Sequence, residues 1–302
     1  MAIRGTTVKP DVDHVNFTGI NNVDDGVDIG PRALVSCTDY DNRKDGMLVT
    51  RPGQTVITSQ SAHSMWSNKD KTLCLYRTGT NLVRLNADES STVIASGFQG
   101  SRMICRDGDA GEVYVTDGQV IGSIMNSVYT DLSSVLPMDH FKNSPIAGIS
   151  IEFWRGILFV IVGNKAYFSD PFMKQFDLVH NVIPFAGPVA LFRGVSSGIW
   201  VADGKIKFLS GNNPVAGMAV VPKADYNAIS GSDVLVPAEV VKGKSVGRDL
   251  FFLSERGVCI GSDDGYFLNS TEEKLSMTFG TRGAGLFRHD LKYNRYIAIS
   301  QV

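Results

Sequence analysis

No apolar window in this sequence approaches the roughly 18 residues needed to cross a bilayer. The opening, MAIRGTTVKP, lacks the apolar core of a secretory signal. These two absences predict a chain made and kept in a cytosol unless it leaves as part of something larger. Charge of one sign is missing too: 29 Lys and Arg face 31 Asp and Glu, a formal charge of −2. Phosphate contacts dominate nucleic-acid affinity, so strong binders carry a basic excess. This balance lets DNA pass without gripping it. Cysteine is sparse. Cys37, Cys74, Cys105 and Cys259 lie far apart with no C-x-x-C pair and no His at a zinc interval, and each sits in an apolar run. They read as buried free thiols.

Motifs of catalysis are also wanting. His14, His63, His140, His180 and His289 are scattered, and H-E-x-x-H, Walker and dinucleotide fingerprints are absent. Asp263-Asp264 in GSDDGYF and Asp107 with Asp109 in RDGDAGE sit where turns are expected, Asp264-Gly265 being a hairpin signal. In CTDYDNRKDG, Asp39, Asp41 and Asp45 suggest a calcium loop. A loop starting at Asp41 then needs an acidic or amide third residue and a Glu twelfth, and finds Arg43 and Pro52. A solvent-exposed hairpin tip is the expectation there. No enzyme activity, cofactor or metal is expected.

What is present is short strands. No long segment holds a 3.6-residue apolar period, and helix is expected only in minor pieces such as Ala224 to Ala228. Runs such as KTLCLYR, EVYVTD, GILFVIV, GIWVADG, DLFFLSE and RYIAIS are β-branched, aromatic and bounded by turn residues, as strands are. GEVYVTDGQVIGSI and GIWVADGKIKFLSG each fold across an Asp-Gly turn. Aligned on their hairpin glycines, Gly79, Gly118, Gly163, Gly204 and Gly257, the runs repeat every roughly 40 to 50 residues, the signature of propeller blades.

Each unit reads as four strands. The first is AHSMWS, TLCLYR, NLVRLN and STVIAS. The second is SRMICR, EVYVTD, QVIGSI and Val128 to Leu132. The third is GISIEFW, ILFVIV, KAYFSD and Asp177 to Ile183. The fourth is VALFRG, GIWVAD, KIKFLS and GMAVVP. The fifth is AEVVKG, DLFFLS, GVCIGS and YFLNS. The two strands AGLFRH and RYIAIS then need two more, which RALVSC from Arg32 and GMLVTR from Gly46 can supply. The fold expected is therefore all-β: one six-bladed β-propeller of four-stranded antiparallel blades over 31–302, its last blade shared by 31–52 and 283–302, after an extension of 1–30. Closure of this kind removes open sheet margins.

The expected core is Leu73, Leu75, Val113, Val115, Leu158, Val160, Ile199, Val201, Phe251, Leu253, Ile297 and Ile299. Burial of one such side chain stabilises by roughly 1.5–3 kcal/mol. In SDPFMKQFDLV, Phe172, Met173 and Phe176 follow a strand end. They either tuck beneath the next blade or form an apolar contact for a neighbouring subunit.

FTGINNVDD, AHSMWSNKDKTLCLYRTGTNLVRLNAD, DPFMKQFDLVHNVIPFAGPVALF, GIWVADGKIKFLSG, SERGVCIGSDDGYFLNST and the final GLFRHDLKYNRYIAIS together resemble a family of bacteriophage virion proteins, in that family's order. The resemblance implies a tail-associated propeller similar in plan to the nozzle proteins of short-tailed phages. Such a subunit sits in a ring around the DNA exit channel, in the virion, and touches adaptor proteins, fibre proteins and other copies of itself. The resemblance implies no catalytic residues. Two other expectations stand beside it. A tail-tip propeller could recognise a host glycan or protein, with Trp66 or Trp154 stacking on sugar. A polysaccharide hydrolase would need paired carboxylates at a set separation.

Overall fold

The structure is a computed structural model. It describes residues 61–135, 142–237, 247–272, 278–289 and 294–301, together with 19–20, 22–23, 33–34, 36, 40–42, 48–50, 274 and 276.

Near the start, β1 (Gly19–Ile20) pairs in parallel with β2 (Ala33–Leu34), and β3 (Tyr40–Asn42) pairs with β4 (Leu48–Thr50) as a hairpin. Five four-stranded antiparallel sheets follow among the described residues, each a simple meander. The first holds β5 (Ala62–Ser67), β6 (Cys74–Thr78), β7 (Asn81–Leu85) and β8 (Ser91–Ser96). The second holds β9 (Ile104–Asp107), β10 (Val113–Thr116), β11 (Ile121–Met125) and β12 (Val128–Asp131), and the short helix α1 (Leu132–Val135) ends it. The third holds β13 (Ser150–Trp154), β14 (Ile157–Val162), β15 (Lys165–Phe168) and β16 (Val182–Pro184). The fourth holds β17 (Leu191–Val195), β18 (Gly198–Ala202), β19 (Ile206–Ser210) and β20 (Ala219–Ala224). The fifth holds β21 (Val234–Pro237), β22 (Arg248–Ser254), β23 (Gly257–Gly261) and β24 (Phe267–Asn269). A last hairpin joins β25 (Arg282–His289) to β26 (Asn294–Gln301).

The five repeated glycines all stand at the hairpin between the second and third strands of their sheets. Their φ angles of 55°, 94°, 60°, 103° and 127° lie in the left-handed region that glycine enters at little cost. The turn chemistry thus sets each central hairpin, and the hairpin sets the sheet.

Neighbouring sheets bury each other. Strand side chains alternate between faces, and here both faces are used. On β10, Val113 and Val115 pack toward the first sheet with Leu75, Leu82 and Phe98. Tyr114, between them, packs toward the third with Ile151, Leu158 and Val160. Further clusters fill the third-to-fourth interface around Phe159 and Phe192, and the fourth-to-fifth around Trp200 and Phe252. First strands lie side by side, β5 against β9, β9 against β13 and β13 against β17, while β17 meets β22. The sheets therefore stand radially, like propeller blades. β21 lies against β25 and β22 against β26, and Phe251 sits 6.4 Å and 5.7 Å from the rings of Phe287 and Tyr296.

The structure corrects three expectations. The fifth sheet starts at Val234–Pro237, and AEVVKG lies outside the described residues. Ala224 to Ala228 is not helical: Ala224 ends β20, and Tyr226 and Ala228 are buried against the fifth sheet. Ile297 and Ile299 are not core, being 44% and 68% exposed, with Leu286 beside them at 60%. The shared terminal blade is a separate matter: among the described residues, no pairing joins the terminal strands into one sheet. β2 and β4, parts of RALVSC and GMLVTR, pair with β1 and β3, and β25 pairs with β26. Local hairpins form across short loops, whereas a shared blade must join strands from opposite ends of the chain. The N-terminal segment nonetheless touches the segment that precedes β25. The Asn22 N–H donates to Lys274 O at 3.1 Å, and the Asn22 amide exchanges bonds with the Ser276 backbone at 2.8 and 3.1 Å.

A second repeat lies in the linkers before the first strands: Phe98-Gln99-Gly100, Ile146-Ala147-Gly148, Phe185-Ala186-Gly187 and Ile229-Ser230-Gly231. A Cβ at Gly100 would overlap the Asp117 carbonyl, and one at Gly187 would lie 2.8 Å from the Asp203 carbonyl. In both places the linker is held by the hairpin aspartate: Asp117 Oδ2 accepts from Gly100 N–H at 2.7 Å, and Asp203 Oδ2 from Ala186 N–H at 3.1 Å.

Candidate functional site

The first strands converge on the axis of the blades, and those of the second, third and fourth sheets, with the residue before the fifth, each bring a charge there. Arg106 stands on β9, Glu152 on β13, Arg193 on β17, and Asp233 just before β21. The flanking residues explain the placement. Cys105, Ile151 and Phe192 point into the buried clusters between sheets, so their neighbours turn toward the axis.

There the four side chains pair. Arg106 Nε donates to Glu152 Oε2 at 3.2 Å and its Nη2 to Asp233 Oδ2 at 2.8 Å. Arg193 Nη1 donates to the same Glu152 oxygen at 2.7 Å, and its Nε lies 3.6 Å from Asp233. Two cations and two anions, all largely removed from water, cancel. Burial pushes the Asp233 carboxyl upward, but Arg106, Arg193 and Arg102 outweigh it and hold the group below its usual value. Burial likewise works against the Arg193 charge, and Glu152 and Asp233 reverse that effect and raise its pKa.

The quartet separates two cups, each of about 390 Å³. Arg106 and Asp233 belong to the wall of one, with Arg102, Ser230 and Arg282. Glu152 and Arg193 belong to the other, with Asp107, Arg155 and Arg248. Burial raises the Asp107 pKa against the opposing effect of the Lys69 N–H, which donates to it at 3.1 Å. What this arrangement can do is tie blades together and present paired charge to whatever enters a cup.

The residues singled out in the sequence fall elsewhere. Phe172 and Met173 stand out in solvent at 81% and 60% exposure, on the connection between β15 and β16. Phe172 adopts φ 60°, and its N–H donates to Gly156 O at 2.7 Å. Phe176 is fully buried in the cluster with Ile151 and Leu158, so it is core and cannot share a surface contact. The Trp154 ring is buried, its Nε1–H donating to Val195 O at 2.5 Å, and Trp66 is half-buried against the first interface cluster. Asp109 and Asp264 serve turns. Asp263 ties two sheets, accepting from Ser196 N–H at 2.5 Å. His63 and His180 bond locally to Ser64 and Asp177. Cys105 and Cys259 are buried free thiols, pushed by burial up to about 12 and about 11, and Cys74 is half-buried. Cys37, His14, His140, Asp39, Arg43, Asp45 and Pro52 lie outside the described residues. Among the described residues, no three His, Cys, Asp or Glu side chains are placed to hold a metal, and no helix is long and apolar enough to cross a membrane.

The quartet itself escaped the reading of the sequence. Its signal was available: each of the first-strand runs ICRD, SIEFW and LFRG holds a charge at its third residue, with the sign alternating.

No family model and no curated protein matches the chain. Solved structures do. BBS1N, determined in complex with ARL6DN, aligns at a TM-score of 0.51 and 10% identity over 76% of this chain and 71% of its own. An auxiliary nutrient binding protein from Bacteroides ovatus aligns at 0.47 and 9% identity over 68% of this chain, which spans 56% of that protein's length. A putative TolB from Agrobacterium tumefaciens aligns at 0.39 and 16% identity over 70% of this chain and 80% of its own. BBS1N has a β-propeller-like fold, and at 10% identity the similarity concerns the fold alone. None of these three is a phage protein.

Proposed function

We propose that this chain is a structural, ring-forming subunit of a bacteriophage tail, of the nozzle or hub kind, built as a six-bladed rosette. The family resemblance of the sequence supplies the context. The observation that carries the reading is the axial quartet. Where a propeller would be open for passage, Arg106, Glu152, Arg193 and Asp233 pair and fill the middle. A duplex cannot thread a subunit blocked in this way, so it passes through a hole framed by several copies. The blades then serve as rigid blocks whose outer surfaces meet copies, adaptor and fibre proteins. Exposed Phe172 and Met173 are the proposed contact to the next copy. Near-neutral net charge suits a wall past which DNA slides.

In this reading the sixth blade is the β25–β26 hairpin completed by strands from 31–52, which cover Leu286, Ile297 and Ile299. Two features favour it: the apolar face those residues present, and the bonds that bring Asn22 to Lys274 and Ser276. Ile299→Lys tests it. A covered Ile299 makes the change cost about 2 kcal/mol or more, while an open position holds it within about 0.5 kcal/mol.

The test of the function is purified virions analysed by mass spectrometry and cryo-electron microscopy. Copies of the chain in a ring at the tail support the reading. Mature particles without the chain overturn it.

A further inference from the structure

We propose that the cup holding Arg102 and Arg282 is a binding site for a small organic carboxylate with an apolar body. The proposal stands on the charges of that cup and is independent of the tail reading. Every carboxylate in its wall is already engaged. Asp233 is held by Arg106 at 2.8 Å. Asp117 lies 3.7 Å from Arg77 and accepts from the Gly100, Gln119 and Val120 N–H groups. Glu255 accepts from Asn227 N–H at 3.0 Å.

Two guanidinium groups remain. Arg102 is half-buried, and its Nη1 donates to the Ser230 hydroxyl at 3.0 Å. Arg282 opens β25 at the exposed rim. Among the described residues, neither has a carboxylate at ion-pair distance. Arg102 is nevertheless fitted into place. Its guanidinium lies over Gly231, where a Cβ would overlap it, so the chain leaves out a side chain to admit this one. Burial lowers the Arg102 pKa, and repulsion from Arg106 and Arg282 adds to that effect while Asp233 opposes it. A cation half-removed from water beside two others is the arrangement that an incoming anion relieves.

The form of the site selects among anions. A guanidinium fork matches a planar carboxylate through two parallel N–H bonds. The remaining wall includes Ile149, Ile229 and Phe279, which suits an apolar body, and about 390 Å³ lies within the range of small-ligand sites.

The full chain is titrated with sodium benzoate, and with benzamide as the neutral isostere, by calorimetry and thermal melting. Benzoate is expected to bind saturably and raise the Tm, and benzamide to do neither. Arg282→Gln, at the exposed rim, should leave the ligand-free Tm unchanged and weaken benzoate binding at least tenfold. Arg102→Lys keeps the charge but loses the fork, and should weaken it comparably. If Arg102→Lys does not fold, Arg282→Gln alone decides. Equal effects of benzoate and benzamide, undiminished binding by Arg282→Gln, or tighter binding of inorganic phosphate than of benzoate would each overturn the assignment.

Discussion

Arg106 and Asp233 stand 2.8 Å apart although 127 positions separate them along the chain. One stands in the second sheet and the other just before the fifth, so their meeting is a property of how the sheets are set together and of no single sheet. Arg193 and Glu152 complete the link.

Glu152→Gln should therefore destabilise the whole molecule. It leaves Arg106 and Arg193 facing one another with half their countercharge, and breaking a buried pair costs about 3–5 kcal/mol. Replacing Glu152 and Arg193 together by Leu and Met should cost less than the single change, because Arg106 keeps Asp233. Urea unfolding midpoints of the two variants check the order.

Acid should act through the same residues. The folded-state pKa of Asp233 is depressed, so its contribution is complete above the unfolded value of about 3.9 and is lost as pH falls below it. This contribution should stay flat from neutral pH to about 4 and then decline. Asp233→Asn should start from lower stability and lose this part of the acid slope. Denaturant titrations at stepped pH make the comparison.

The linker glycines should differ in sensitivity. Gly100→Ala drives a Cβ into the Asp117 carbonyl, whereas at Gly187 the nearest atom is 2.8 Å away. Overpacking costs about 1–3 kcal/mol. Gly100→Ala should lie at the upper end and Gly187→Ala below it, as read from thermal melting.

Phe172→Gly should separate stability from assembly. Phe172 sits at φ 60° and is 81% exposed, so glycine relieves backbone strain of about 1 kcal/mol without emptying a core. The variant should melt slightly higher and lose self-association, which sedimentation velocity measures. A variant that assembles as well as the parent removes Phe172 from the contact.

Thiol labelling should follow burial. With Cys105 pushed up to about 12 and Cys259 to about 11, neither forms thiolate at pH 8. Both should resist an aromatic disulfide reagent in the native chain and react fully in guanidinium.

Much of the architecture was legible because it is local. The hairpin glycines and the β-branched runs around them are read within a few residues, and β5 to β8 fall where AHSMWS, TLCLYR, NLVRLN and STVIAS place them. The Phe98-to-Gly100 linker repeat is equally local, a bulky apolar residue two positions before a glycine ahead of four of the sheets. Phe176 stood open between burial and a surface contact for a different reason. Phe172 and Phe176 look alike in SDPFMKQFDLV, and only the packing of the third sheet buries one and exposes the other.

Repeated antiparallel sheets follow from short stretches of residues alone, since turn conformation and strand alternation are set by near neighbours. Only the tertiary structure decided that Arg106, Glu152, Arg193 and Asp233 share one axis, and that Leu286, Ile297 and Ile299 stand exposed. Convergence of charges and coverage of a face depend on how whole sheets are set against one another. That arrangement is a sum over contacts between distant segments, and no short window of sequence contains it.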